Sequence, residues 1–409
     1  MELKTNYQYT YFIHPFIIKE ERYQKYLLKL LKDKNCFLKI FKKQEDLNLY
    51  KYFLPDIRKF LFSSFDLNYS GLESLKKMPI DTQSAILAKN PCTMFEYKVE
   101  KSIQGKAGEE QGIFFNISNI DIICFNSGIC FLCIKTSILN SDKFNDLLNF
   151  NYKFRDINQE FKTRQYDRIK IQTNTFDDVK EMSELIKEIT GPNSDAVRFG
   201  IDTERFFTYS YACLDKDYWN EYRKFENIEN DFIKFTNVLP ADNMTNFVRD
   251  ESVTISEWKY AKIGLTKQAV TLFASAKEMN NFTILKDEFE REYFYTYILN
   301  LYKKIYLKKI TVELGNSKKI NATRKRFIEF TKKIWIQELT ENEAGTIINQ
   351  RLNEVFELDM LYAYTKNKYD VLYNDLKIGK GSGLVIALLV TVFVAIVLNI
   401  VNFIQLFSK

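Results

Sequence analysis

The 409-residue chain is 46% hydrophobic and 27% charged, with 13 Gly and 6 Pro, which describes at most two folded domains, or one domain plus an extended element, and excludes a disordered or collagen-like chain. Its 59 Lys and Arg against 53 Asp and Glu give a formal +6, spread along almost every helix rather than gathered into one patch, so direct nucleic-acid binding is not expected. The one histidine, His14, lies in an aromatic run and excludes His-rich zinc sites and Ser-His-Asp or Cys-His catalysis, so no enzymatic centre and no metal site are expected.

In chain order, the pattern begins with a strand (Tyr7–Phe16), a helix (Glu21–Lys32), a strand (Cys36–Phe41) and helices near Glu45–Tyr52 and Pro55–Phe62. Leu72–Ala88 reads as one helix stopped by Asn90-Pro91. Strands follow over Cys92–Lys101 and Gly112–Ser118, flanking a loop at Gln104–Gly112. The clearest hairpin is Ile120–Phe125, the turn Asn126-Ser-Gly128 and Ile129–Thr136. Within it Cys130 and Cys133 have C-x-x-C spacing, but positions three apart on a strand face opposite sides. The six cysteines therefore read as buried thiols of a cytosolic domain.

A second α/β unit comprises a strand at Arg168–Gln172 and a helix at Asp177–Thr190 closed by Gly191-Pro192. An extended run at Arg198–Leu214 breaks near Gly200, and a helix covers Asp217–Phe235. A polyphosphate or nucleotide ligand would want Arg, Lys and backbone amides. Arg164, Arg168, Arg198 and Arg205 are candidates for that role, and equally candidates for surface ion pairs. The acidic pairs Asp177-Asp178 and Glu109-Glu110 read as capping or solvated groups.

From Leu285 the pattern is helical. Phe289–Ile310 carries an apolar side of Phe294, Tyr295, Ile298, Leu301, Tyr302 and Ile305 beside Lys303, Lys304, Lys308 and Lys309, read as core aromatics with a solvated lysine edge. Asn321–Leu339 is a further helix, and Thr340-Glu-Asn-Glu343 matches a capping box opening a helix from Glu341 to Ile378, about 57 Å long. Ile348, Val355, Tyr362, Tyr369 and Leu376 recur every seven residues with Leu358 and Leu372 offset by three, interrupted by Arg351 and Thr365: an imperfect coiled-coil seam suited to oligomeric packing.

Leu384–Phe407 contains no charged residue and, at about 36 Å as a helix, is long enough to cross a hydrocarbon core of about 30 Å. Lys366, Lys368, Lys377 and Lys380 precede it and only Lys409 follows, placing the N-terminal body in the cytoplasm of a single-pass cell-membrane protein. The N-terminus has no signal-peptide core. Thr391, Asn399, Asn402 and Gln405 fall with Ala395 on one face of the segment. That face either lines a pore or joins helices in an oligomer. Gly379, Gly381 and Gly383 at the membrane boundary read as a hinge or a close helix approach.

The fold class expected is thus an α+β cytoplasmic domain, a mixed sheet with flanking helices, over 1–280, a helical stalk over 281–383 and one transmembrane helix over 384–407. This architecture, with Trp258–Gly264, Glu292–Tyr302 and the Gly105–Gly112 segment leading into the hairpin, resembles a divergent bacterial branch of the CorA-type magnesium transporters. The resemblance implies a homo-pentamer, a channel, and a divalent cation or a nucleotide second messenger as ligand. It also implies antiviral defence, since some such branches accompany type III CRISPR systems as membrane effectors. The family's Gly-Met-Asn pore signature is absent, no Met follows Met360, and no second membrane helix is found, so no family residue carries over. The alternative is a tail-anchored interaction protein in which the last helix is only a tether.

Overall fold

The computed structural model describes residues 2–66, 69–98, 103–107, 113–157, 169–172, 180–191, 199–201, 204–242, 252–316, 320–335 and 338–407. Side chains are not described at every helical or strand position, and from 373 onward only those of 388–398 are. The first half contains β1 (Thr5–Ile17), α1 (Glu20–Lys32), β2 (Cys36–Leu38), α2 (Leu47–Tyr52), α3 (Pro55–Leu61), α4 (Tyr69–Lys77) and α5 (Ile80–Leu87). It continues with β3 (Cys92–Tyr97), β4 (Ile103–Ala107), β5 (Ile113–Phe125), β6 (Ile129–Ile138) and α6 (Phe144–Phe154). Then come β7 (Ile169–Gln172), β8 (Lys180–Glu181), α7 (Met182–Thr190), β9 (Phe207–Leu214), α8 (Glu229–Thr236), β10 (Val253–Trp258), β11 (Ala261–Leu265) and β12 (Ala269–Ser275). The helical end is α9 (Ile284–Glu288), a π-helical turn (Phe289–Tyr293), α10 (Phe294–Leu314), α11 (Ile320–Lys333), α12 (Glu343–Phe356) and α13 (Leu358–Phe407).

All twelve strands form one sheet, ordered β10-β11-β12-β9-β1-β6-β5-β4-β7-β8, with β3 on the far half of β5 and β2 beside it. The described pairings are antiparallel except β12 with β9. The alternation of β1 divides the protein into three layers. Tyr9, Tyr11 and Ile13 enter one core with α2, α3, α10 and α12; Phe12 and Phe16 enter the other with α1, α6, α7 and α8. Helices on both faces make the central strands near-continuously apolar, as in Ile129–Ile134, every residue of which is buried. Cys130 and Cys133 fall in opposite cores, as their spacing requires, and all six cysteines are buried and free. The α+β class is therefore observed.

Several local expectations are corrected. Leu72–Ala88 is two helices, because Pro79 has no N–H to continue the ladder and instead caps α5. The segment expected as a loop from Gln104 contains β4, paired to both β5 and β7. The helix expected at Asp217–Phe235 is confined to Glu229–Thr236. Upstream, Asp215 accepts from the Asp217 amide at 3.2 Å and Asn220 from the Tyr222 amide at 2.9 Å, local turns that compete with helix. Asp177–Thr190 shortens to Met182–Thr190, with Lys180–Glu181 in the sheet, and Asn321–Leu339 ends at Lys333.

The long helix expected from Glu341 to Ile378 is interrupted. Glu357 takes a left-handed conformation, φ 55°, between α12 and α13. The cap is Asn342 rather than Thr340: its Oδ1 accepts from the Gly345 amide at 2.8 Å, while the Thr340 hydroxyl accepts from the Asn342 amide at 3.0 Å. The heptad positions pack inside the chain. Ile348 and Val355 belong to the core shared with β1 and β6, and Tyr362 stacks on Trp335 with centroids 4.3 Å apart. Tyr369 lies 5.5 Å from Phe327, and Thr365, buried, shares a hydrogen bond of 2.6 Å with Thr311. The helical part expected as a separate stalk thus belongs, as far as Leu372, to the body.

At the β5–β6 turn Gly128 has φ 81°, and a Cβ there would stand 2.1 Å from the carbonyl oxygen of Ile18. That oxygen belongs to the segment linking β1 to α1. Gly128→Ala is expected to destabilise the body by about 2 to 4 kcal/mol, read as a lower denaturation midpoint with unchanged slope.

Candidate functional site

Among the described residues no helix is long and apolar enough to cross a membrane, so the span expected at Leu384–Phe407 is not shown. What the structure does show is a helix that leaves its own protein. The first turns of α13 are tied down: Lys368 Nζ donates to the Thr311 carbonyl at 2.7 Å and the Tyr362 hydroxyl to Thr331 at 3.2 Å. Val371 is already exposed. The helix then runs unbroken to Phe407, about 52 Å beyond Leu372. Gly379, Gly381 and Gly383 lie within it, with helical backbone.

Along 388–398 the helix is apolar and exposed on every side. Leu388, Phe393 and Leu398 are 64%, 67% and 59% exposed, and Leu389, Val390, Val392, Val394, Ile396 and Val397 are exposed as well. Successive residues turn by about 100°, so this run covers the whole circumference. Thr391 is exposed too; the side chains of Asn399, Asn402 and Gln405 lie outside the described ones, so the polar stripe is represented only by Thr391.

The expected ligand arginines are not brought together among the described residues. Arg205 pairs with Asp156 at 3.2 Å, an ordinary half-exposed ion pair. Arg164, Arg168 and Arg198 lie outside the described residues, as do Asp177, Asp178, Glu109 and Glu110. The largest described cavity, about 750 Å³, opens between the β1–α1 junction and helices α10 and α11. Two of its cations, Lys309 and Arg326, are already paired. Glu20 holds Lys309 at 3.1 Å and also Arg326; Arg326 reaches Glu313 at 3.0 Å, and Lys309 donates to the Ser127 carbonyl at 2.5 Å. A polyanion would have to displace these carboxylates, so the cleft is a charged seam between layers rather than a ready phosphate cradle.

The lysine edge of α10 is corrected. Lys303 and Lys309 are buried, and Lys304 lies 4.5 Å from the Phe356 ring. Lys303 and Lys304 lie toward α12 and α13, Lys308 donates to the Gly200 carbonyl and Lys309 is held by Glu20 and the Ser127 carbonyl, so the edge forms no continuous basic face. Burial pushes Lys303 down to about 8, opposed by Asp359; it pushes Lys304 down to about 8 as well, helped by Lys308 and Lys267. Burial likewise holds His14 down at about 4 in a core beside Phe206. Sequence reasoning missed these lysines because lysine at helical spacing ordinarily marks a solvated face. No family model, no curated protein and no solved structure matches the chain.

The lowered value in Lys303 fixes a sign. Its charged form is disfavoured on folding, so the penalty is fully present below about pH 8 and fades as pH rises toward the unfolded value of 10.5. Lys303→Met is expected to raise Tm at pH 7 through removal of a penalty on the order of 2 kcal/mol, with the gain shrinking by pH 10 in thermal melts.

Proposed function

We propose that the chain is a single-pass membrane protein whose α+β body stands on the cytoplasmic face. Its last helix assembles with copies of itself into a channel or membrane-perturbing effector, controlled by a ligand on the body. The observation that carries the reading is the apolar segment of α13 exposed around its full circumference. A surface helix buries one stripe and leaves a polar face to water; a helix apolar all round belongs in a deep core or in lipid. Nothing described in the body covers this one, and the uncharged sequence continues from Leu384 to Phe407.

Orientation follows from the lysines before the segment. Assembly rests on Thr391, Asn399, Asn402 and Gln405 sharing one helical face in the sequence, where polar groups in hydrocarbon need partners or water. A pentamer, and a magnesium ion or nucleotide second messenger as ligand, come from the architectural resemblance to CorA-type proteins alone, as does a role in antiviral defence.

The tether reading draws on a different observation. Ile348, Val355, Tyr362 and Tyr369 pack within the chain, so these described heptad positions are taken up inside one copy rather than offered to another.

The two readings separate in vesicles. The channel reading expects the reconstituted full chain to form cross-linkable oligomers and to leak ions, and Asn399→Leu with Asn402→Leu to cut the leak about ten-fold while the protein stays membrane-bound. A protein that remains monomeric in detergent at micromolar concentration, or that functions unchanged with Leu384–Phe407 replaced by a polyleucine helix, leaves only the tether.

A further inference from the structure

The π-helical turn between α9 and α10 holds a feature the membrane reading does not use. Its residue Glu292 is 4% exposed, yet it lines two adjoining cavities, of about 280 Å³ and about 400 Å³. Asn48 and Glu288 line both as well. Lys51, Tyr52, Tyr293 and Asn342 complete the first, and Ile284, Asp287, Glu290 and Arg291 the second. The extra residue of a π-turn rotates side chains out of the ordinary helical register, and such turns recur at functional sites. Here the acidic run Asp287-Glu-Phe-Glu-Arg-Glu292, which in an α-helix would read as a solvated face, turns its last carboxylate inward.

Several neighbouring charged groups are already engaged. Glu290 accepts from the Tyr11 hydroxyl at 3.2 Å and pairs with Lys135. Glu288 accepts from the Tyr293 hydroxyl at 3.1 Å, Asp287 lies 3.3 Å from Lys286, and Arg291 is held by Asp46 at 2.5 Å. Among the described residues Glu292 has no ion pair and no side-chain hydrogen bond to another residue: its carboxylate is met only by its own backbone amide, and its carbonyl oxygen accepts from Thr296. A buried carboxylate without a cationic partner is costly and takes up either a proton or a counter-cation.

We propose that this groove binds an aliphatic amine in its ammonium form, with Glu292 as the counter-ion. The ammonium group is compact and carries several N–H donors. The groove offers the Glu292 and Glu288 carboxylates and the amide oxygen of Asn48 as acceptors, with the rings of Tyr52 and Tyr293 beside them for cation–π contact. The two adjoining cavities leave room for the carbon chain of a diamine or polyamine. A metal ion fits less well: among the described residues no three His, Cys, Asp or Glu side chains are placed to hold one. Burial, opposed by the hydrogen bond from its own backbone amide and by Arg291 and reinforced by Glu288 and Asp287, pushes Glu292 up to about 7. Lys51 from α2 is the other charged group lining the first cavity. The proton and the amine therefore compete for one carboxylate near neutral pH.

The test is calorimetric titration of the full chain in detergent with putrescine, spermidine and magnesium chloride as separate ligands. Putrescine or spermidine binds, and affinity at pH 6 is about ten-fold weaker than at pH 8, following ionisation of a carboxyl with a value of about 7. Glu292→Gln weakens binding at least ten-fold at pH 8 and removes the pH dependence; Lys51→Met, which discharges the rim, strengthens it several-fold. Thermal melts of both variants report folding independently. Binding of magnesium with no competition from either amine overturns the proposal, as does equal amine affinity in wild type and Glu292→Gln, or no effect of Lys51→Met where Glu292→Gln does not fold. None of these outcomes bears on the membrane reading, because the titration requires neither a vesicle nor an oligomer.

Discussion

Helix α10 has almost no solvent face, and the rest of the molecule is arranged around that fact. Sixteen of its twenty-one residues are buried, so it needs protein on every side. The sheet supplies one side: Tyr302 stacks on Phe125 with centroids 4.0 Å apart, and Tyr297 and Phe294 meet Tyr209. Helices α11, α12 and α13 supply the other, through Phe330 on Tyr306, Phe356 beside Tyr297, and Thr365 on Thr311. Each large aromatic buried this way is worth about 1.5 to 3 kcal/mol. Aromatic pairing adds a further fraction and fixes the registry of the layers.

Two features follow from covering α10. Lys303 and Lys304 are enclosed beneath α12 and α13, which lowers both. And α13, having closed the core with Tyr362 and Tyr369, continues outward with its described side chains over 388–398 exposed. The body therefore holds the root of this helix rigidly and leaves its apolar continuation bare. A rigid root matters for the proposed function, since a change in the body is passed to the distal helix only if the first turns of α13 do not swivel. The Lys368–Thr311 and Thr311–Thr365 bonds and the Trp335–Tyr362 stack provide that coupling.

Much of the fold was legible where one period dominated. The β1 strand, the β5–β6 hairpin with Gly128 at its turn, and the start of the helical half near Leu285 all lie where hydrophobic spacing and turn chemistry agree. The misses have physical causes. Pro79 splits a helix whose apolar pattern runs straight through it. Asp215 and Asn220 divert backbone amides into turns. The left-handed Glu357 breaks the long helix, and Glu is not a residue that announces that conformation. The heptad of Ile348 to Tyr369 is a true repeat, but periodicity reports an apolar stripe and not what covers it; the cover is α10 and α11 of the same chain. Glu292 was unreadable because a π-turn has no sequence signature, and only its insertion turns a charged helical face into a buried carboxylate.

The central claim is that the apolar run of α13 lies in lipid while its root stays in water. It is tested most directly by spin-label accessibility in the full chain reconstituted in vesicles. The six native cysteines are buried, so single labels can be placed through Val371→Cys and Phe393→Cys, both exposed positions on the same helix. The account predicts that the label at residue 393 is relaxed by oxygen and shielded from a water-soluble nickel chelate, with the reverse at residue 371. Equal access of the nickel chelate to both labels would contradict it.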